Sequence, residues 1–402
     1  MRRVFGYAVL TAAACLVLLP AAGATHRAAT ASQTFTIDVD GKPPNANENF
    51  DAYFPRVTTI HAGDTVKFHW AGNGEPHTTT FGTVVGRAMT VYNHLTPAQK
   101  NANTPPKAMQ LADAAVPQLF PQGPGDAIQS ASNPCYQQNG PVGTNVCPNS
   151  QHEQPDFNGT QAYYNSGWPD SGGNWSIHFS SSTAPGSYHF MCLLHREGMA
   201  GHINVAPASK TIMSPSAQYT IGQQQLAKDV AQLSGALAAT RKGEAPIPGV
   251  TIPGENATLA GSGLPTAVGS IDEFGPRVVH IPVGGSVTWW LVGAHTIQFN
   301  SDKSNDDIRL VAPDKTVHIN PAAAGPANAT GQPPPPKPGK GITFTLGGSK
   351  SWNGSGFLNI GVWASFPPAL QGFKLTFTKA GTYKYICAVH DNMKGTVVVG
   401  SG

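Results

Sequence analysis

The chain has 402 residues and a formal net charge of +3, with 25 Lys and Arg against 22 Asp and Glu. Charged residues make up only 12%, against roughly 25% in ordinary soluble proteins, while 45 glycines and 35 prolines mark a turn-rich chain. That balance excludes helical bundles, and the lack of a basic run argues against nucleic acid or an anionic membrane surface as partner.

Residues 1–31 read as a cleaved signal peptide: Arg2 and Arg3 precede an apolar run from Val4 to Leu19, then Pro20 and the small residues Ala22-Gly23-Ala24. The alternative is an uncleaved anchor, which Pro20 and the small-residue site disfavour. Export places the protein outside the cytoplasm, secreted or held in the cell envelope or periplasm. Of the four cysteines that remain, Cys135 and Cys147 stand in a Gly/Pro/Asn loop and are expected to form a disulfide.

Residues 34–206 read as one β domain. Thr65 to Trp70 is rich in β-branched and aromatic residues and bounded by glycine, as a strand should be. His77 follows in the sequence EPHTTTF. A long insertion, with a short helix expected from Pro105 to Ala115, separates it from a second strand in which Tyr188, Phe190 and Cys192 share a face.

Residues 207–264 read as a linker. Between Ser216 and Lys242, the spacing of Leu226, Val230, Leu233 and Leu237 predicts an amphipathic helix that packs against a domain, with Gly/Pro-rich chain after it. Residues 265–400 then repeat the first domain: Asp51-Ala52-Tyr53-Phe54-Pro55-Arg56-Val57 returns as Asp272-Glu273-Phe274-Gly275-Pro276-Arg277-Val278, offset by 221 positions. Ser286 to Trp290 repeats the strand, and His295 stands in GAHTIQF. Pro333 to Pro336 is expected to be extended surface chain, and Tyr383, Tyr385 and Cys387 alternate like their counterparts.

The repeat is sharpest at two short segments. GSYHFMCLLHREGM carries Cys192, His195 and Met199, and GTYKYICAVHDNM carries Cys387, His390 and Met393. A thiolate, an imidazole and a thioether form a soft set suited to copper, and a blue-copper centre needs one more imidazole, which His77 and His295 offer. Zinc is disfavoured because a lone Cys-x2-His lacks the second pair of a structural site. A Cys/His nucleophile pair leaves the recurring Met unexplained. The other histidines, His189 and His202 among them, receive no metal role.

With these elements the chain resembles the cupredoxin family, in particular its plastocyanin-like and amicyanin-like blue-copper domains. The resemblance rests on Cys192-x2-His195-x3-Met199 with His77 and on Cys387-x2-His390-x2-Met393 with His295. It implies an all-β protein of two Greek-key β-sandwich domains, each with a type 1 copper that cycles between Cu(I) and Cu(II). Thr78 and Thr296 depart from the family, in which Asn is common after the upstream His, and so does the length of the insertions.

The primary expectation is therefore an exported electron-transfer protein, not an enzyme, that docks briefly with a redox partner. Leu193, Leu194, Ala388 and Val389 are expected to surround the ligand edges with exposed apolar surface. The alternatives are a multicopper oxidase or nitrite-reductase-like enzyme, and a copper storage or delivery protein. The enzyme reading lacks the His beside the blue-copper Cys that couples two centres, since the neighbours are Met191 and Leu193, then Ile386 and Ala388. No His-x-His pair occurs.

Overall fold

In the computed structural model, the described residues are 31–42, 45–100, 132–139, 154–244, 256–263, 269–303, 306–313, 315, 317–325, 351–365 and 371–400. The expected signal peptide, Cys147, the helix from Pro105 to Ala115 and the proline run at Pro333 to Pro336 lie outside them. Among the described residues no helix is long and apolar enough to cross a membrane.

The fold is all-β: among the described residues most strands form two sandwiches, and two small ladders stand apart, Gly293–His295 with Trp363–Ser365 and Arg309–Val311 with Val317–Ile319. In the first sandwich, one sheet orders Tyr53–Phe54, Thr34–Val39, Thr65–Trp70 and Asn174–His178. The facing sheet orders Val57–His61, Arg196–Ala206, Gly186–Cys192, Thr80–Phe81, Tyr163–Ser166 and Pro134–Gln137. Alternation drives this pairing: Val66, Phe68 and Trp70 are buried while Thr65, Lys67 and His69 are half-exposed. Phe190 is fully buried among Tyr53, Phe68 and Phe81, with ring centroids 4.7, 5.2 and 5.0 Å away. Cys192 and Met199 belong to this same core, as the shared face of Phe190 and Cys192 requires.

The second sandwich repeats the plan. One sheet runs through Gly269–Gly275, Ala257–Gly263, Ser286–Leu291, Gln371–Phe377 and Ser351–Trp352. The other runs through Val278–Pro282, Lys394–Gly400, Gly381–Ile386, Gln298–Phe299 and Leu358–Asn359. Trp289 is buried at its centre, stacked on Phe373 and edge-on to Tyr385. Cys387 and Met393 lie in that core. The repeat shows in the register as well, since Thr36 pairs with Lys67 and Ala257 with Thr288, each 221 positions apart from its counterpart.

Two features depart from the sequence reading. Ala257–Gly263, assigned there to the linker, pairs in parallel with Ser286–Leu291 and is a central strand of the second sandwich. Its small residues hide it from a pattern search because backbone pairing, not side-chain bulk, holds it. Glu48–Phe50, from the first half of the chain, extends the second half's sheet by pairing with Gly269–Gly275.

That exchanged strand and the helix Pro215–Arg241 tie the halves together. The helix starts with Ser214 accepting from Ala217 N–H and with proline in its first turn, both favourable at a helix N-terminus. Leu226, Leu233, Ala236 and Leu237 are buried against Phe50, Phe54 and Ile271, residues from both halves. Each such leucine contributes about 1.5–3 kcal/mol of apolar burial. Asp272 N–H donates to Asn47 O at 2.8 Å, and Asn47 Nδ2 donates to Asp272 O at 2.8 Å, so the halves also share backbone hydrogen bonds.

A pair of candidate metal centres

The six His and Cys residues picked from the repeat converge as two groups, His77–Cys192–His195 and His295–Cys387–His390. In the first, His77 Nδ1 is 3.1 Å from His195 Nδ1, and Cys192 Sγ is 3.9 and 3.6 Å from them. In the second the same separations are 3.1, 3.9 and 3.5 Å. Donors held about 2.0–2.3 Å from one ion in a trigonal plane lie about 3.5–3.8 Å apart. Both groups therefore fit one small soft ion. Met199 and Met393 are fully buried in the core that holds their own cysteine.

Local structure explains why the donors meet. Cys192 ends one strand and Arg196 starts the next, so Leu193, Leu194 and His195 are confined to a tight turn between paired strands. The second turn is closed by Cys387 N–H donating to Met393 O and Met393 N–H donating to His390 O, both at 3.0 Å. His77 is anchored from the opposite sheet by Trp70 Nε1, which donates to its carbonyl at 2.9 Å.

Thr78 and Thr296 perform matched tasks. The N–H of Thr78 donates to Cys192 Sγ at 3.4 Å, and that of Thr296 donates to Cys387 Sγ at 3.4 Å. Their hydroxyls accept from the N–H of the residue after each cysteine, Leu193 at 2.8 Å and Ala388 at 2.7 Å. Backbone donors aimed at sulfur stabilise the thiolate.

The electrostatics point the same way. Burial alone would raise the Cys192 thiol, but the charge of His195 and hydrogen bonding from His195 and His77 hold it well below its ordinary range. Cys387 is lowered in the same manner, by His390 and His295 against burial. Burial works to lower His195, yet Asp51 and Cys192 raise it well above an ordinary imidazole. In both groups, then, the imidazoles favour the thiolate form that a soft metal ion needs.

The surroundings hold residues that the sequence reading missed. The far edges of the imidazoles face carboxylates. His77 Nε2 lies 3.6 Å from Asp40 Oδ2, and His195 Nε2 lies 3.2 Å from Glu75 Oε1. That same Glu75 oxygen is 3.7 Å from His390 Nε2, in the other centre. Asp272 is 3.9 Å from His390 Nε2, whereas Asp51 lies on the thiolate side, 3.5 Å from His195 Nδ1. His295 Nε2 instead bonds to Val292 O at 2.9 Å, which leaves its Nδ1 lone pair free for a metal. Burial raises the Asp40 carboxyl to about 6, against the pull of His77, while His77 rises to about 10 despite its own burial because Asp40 and Cys192 bond it. For Glu75, burial is outweighed by His195 and His390, and its carboxyl sits well below the ordinary range.

Asp40 stands 221 positions before Gly261, and both have left-handed backbones, φ 59° and +79°. The first half therefore places a carboxylate where the second has no side chain. A Cβ on Gly261 would lie 2.0 Å from His295 Nε2.

The apolar rim expected around the ligand edges is not exposed. Leu193 and Ala388 are 1% and 3% exposed and Val389 is 9%, while Leu194 is half-buried; Leu193 packs with Val84, Val85 and Met89 of its own half, and Ala388 and Val389 pack into the second core, which Trp168 of the first half joins. His195 keeps 23% of its side chain exposed, His390 only 6%. Cys135 is disulfide-bonded, and its expected partner Cys147 lies outside the described residues. His189 and His202 meet across paired strands, with ring centroids 5.4 Å apart.

No family model and no curated protein matches the chain. Among solved structures it is similar to a dithionite-reduced auracyanin from the photosynthetic bacterium Roseiflexus castenholzii, at 20% identity over 44% of this chain and 99% of that one, with a TM-score of 0.24. An amicyanin mutant in its Cu(I) state matches at 19% identity over 38% of this chain and 87% of that one, TM-score 0.20. A purple cupredoxin from Nitrosopumilus maritimus matches at 19% identity over 36% of this chain and all of that one, TM-score 0.17.

Proposed function

We propose that the chain is an exported electron carrier with two type 1 copper centres, His77, Cys192, His195 and Met199 holding one ion and His295, Cys387, His390 and Met393 the other. The observation that carries this reading is the twice-built plane of two Nδ1 atoms and one sulfur, with matching separations and a backbone N–H on each thiolate. Copper bound there supplies one-electron exchange between Cu(I) and Cu(II).

The protein's part is to keep the donors still. Paired strands on both sides of each ligand turn, the Thr78 and Thr296 clamps and the disordering cost of any core shift hold one geometry in both oxidation states. Thiolate, thioether and imidazole favour copper over the hard cations. The external partners are one-electron redox proteins, and export in a cleaved form accounts for the N-terminal sequence. Residues 34–206 and 265–400 would be the two cupredoxin-like domains, the second enlarged by Ala257–Gly263 and Glu48–Phe50.

A second reading has one observation in its favour. Asp51, Glu75 and His195, and likewise Glu75, Asp272 and His390, place donor atoms within 4.8 Å of one another, the sort of oxygen-rich group an enzyme's additional metal would need. Metal analysis of the copper-loaded protein separates the two. The carrier reading expects two coppers per chain, falling to one in Cys192→Ser and in Cys387→Ser. Three or more tightly held ions would favour the enzyme.

A further inference from the structure

Glu75 has no counterpart in the second half of the repeat, where GAHTIQF carries no acid before His295. It nevertheless serves both halves. Its Oε1 lies 3.2 Å from His195 Nε2 and 3.7 Å from His390 Nε2, and its side chain is 6% exposed. In each centre the Nδ1 faces the thiolate, so Glu75 touches the imidazoles at the atoms remote from the ligand plane. Asp51 and Asp272 flank this line, each near one centre, and among the described residues Glu75 is the carboxylate that meets an imidazole of both.

Exposure is unequal along that line. His195 is 23% exposed, whereas His390, His295 and His77 are 6%, 1% and 1%. A protein-sized donor at the surface thus reaches an imidazole edge of the first centre and none of the second.

We infer that the two centres form a relay: electrons enter at His195 and cross to the second centre through Glu75 and His390. This rests on the copper reading above. An electron arriving at His195 reduces the first centre from Cu(II) to Cu(I) and oxidises its donor by one. Crossing through Glu75, it re-oxidises the first centre and reduces the second from Cu(II) to Cu(I). No bond forms or breaks. Glu75 is a positioning and coupling residue that touches both ligand imidazoles without binding either ion.

The test uses the full-length, copper-loaded, oxidised protein and fully reduced flavodoxin, a protein-sized one-electron donor, with bleaching of the thiolate-to-copper band followed by stopped flow. Wild type should bleach in one phase, because both centres fill through one port. In Cys192→Ser, where only the second centre absorbs, bleaching should slow at least tenfold. In Glu75→Ala about half the amplitude should become a slow phase, and Glu75→Gln, which keeps an acceptor between the rings, should restore most of the fast phase. Bleaching of Cys192→Ser at the wild-type rate would overturn the port. A single fast phase in Glu75→Ala would overturn the relay. The Cys192→Ser arm keeps Glu75 in place, so it decides even where Glu75→Ala loads copper poorly. A wild-type protein without any thiolate-to-copper band would instead defeat the copper reading itself.

Discussion

Gly261→Ala should remove one centre and spare the other. Gly261 sits at a bulge in the strand Ala257–Gly263, between Ala260 and Ser262, with φ +79°. A Cβ there would stand 2.0 Å from His295 Nε2 and 2.3 Å from Val292 O, the two ends of the hydrogen bond that orients the imidazole. Left-handed backbone costs a non-glycine residue about 1–2 kcal/mol. Losing the buried hydrogen bond costs about 1–3 kcal/mol more. The expected total is about 2–5 kcal/mol in the metal-free protein, read from the urea midpoint. Copper per chain should fall from two to one. Gly63→Ala provides the comparison: its φ is +92°, but a Cβ there meets nothing within 4 Å. It should cost only the backbone term and keep both ions. If Gly261→Ala retained two coppers with Gly63-like stability, the placement of His295 would be wrong.

Thr78→Val removes the hydroxyl that accepts from Leu193 N–H while keeping the Thr78 backbone donor to sulfur. It should lower stability by about 1–3 kcal/mol and shift, without abolishing, the first centre's visible band, with Thr78→Ser restoring both; an unchanged melting temperature would deny the clamp. Asp40 is raised by burial to about 6, above its value in an unfolded chain, so its contribution to metal-free stability is complete below about pH 4 and is lost as pH rises through about 6. Asp40→Asn should flatten that decline, worth about 3 kcal/mol, and urea titrations of both proteins across this range showing equal slopes would contradict it. Leu233→Ala, at a fully buried helix position between the halves, should cost about 2–5 kcal/mol, while exposed Lys228→Ala should stay within about 0.5; equal midpoints would mean the helix is not a joint.

The ligand-bearing segments were legible because chemistry and periodicity agree there. Tyr188, Phe190 and Cys192 alternate on a strand, and the same spacing returns at Tyr383, Tyr385 and Cys387. The helix was legible from Leu226, Val230, Leu233 and Leu237, and spans Pro215–Arg241. What lay beyond reach was whatever depends on how the halves meet. Glu75 reads in sequence as a lone acid two residues before His77, and only juxtaposition makes it a neighbour of His390. Leu193 is buried by Val84, Val85 and Met89, which lie in the insertion after His77, so its burial depends on contacts that the ligand segment does not show. Asp40 was hidden because its repeat partner is glycine, so the pair shares a backbone conformation and no side-chain chemistry. The exchange of Glu48–Phe50 into the other sheet leaves no local pattern at all.

The most direct measurement is the visible absorption of the oxidised, copper-loaded protein beside Cys192→Ser and Cys387→Ser. Two type 1 centres require an intense thiolate-to-copper band in the wild type, a reduced band in each single variant, and none in the double variant. A colourless copper-loaded wild type, or a band that survives loss of both thiols, would contradict the account.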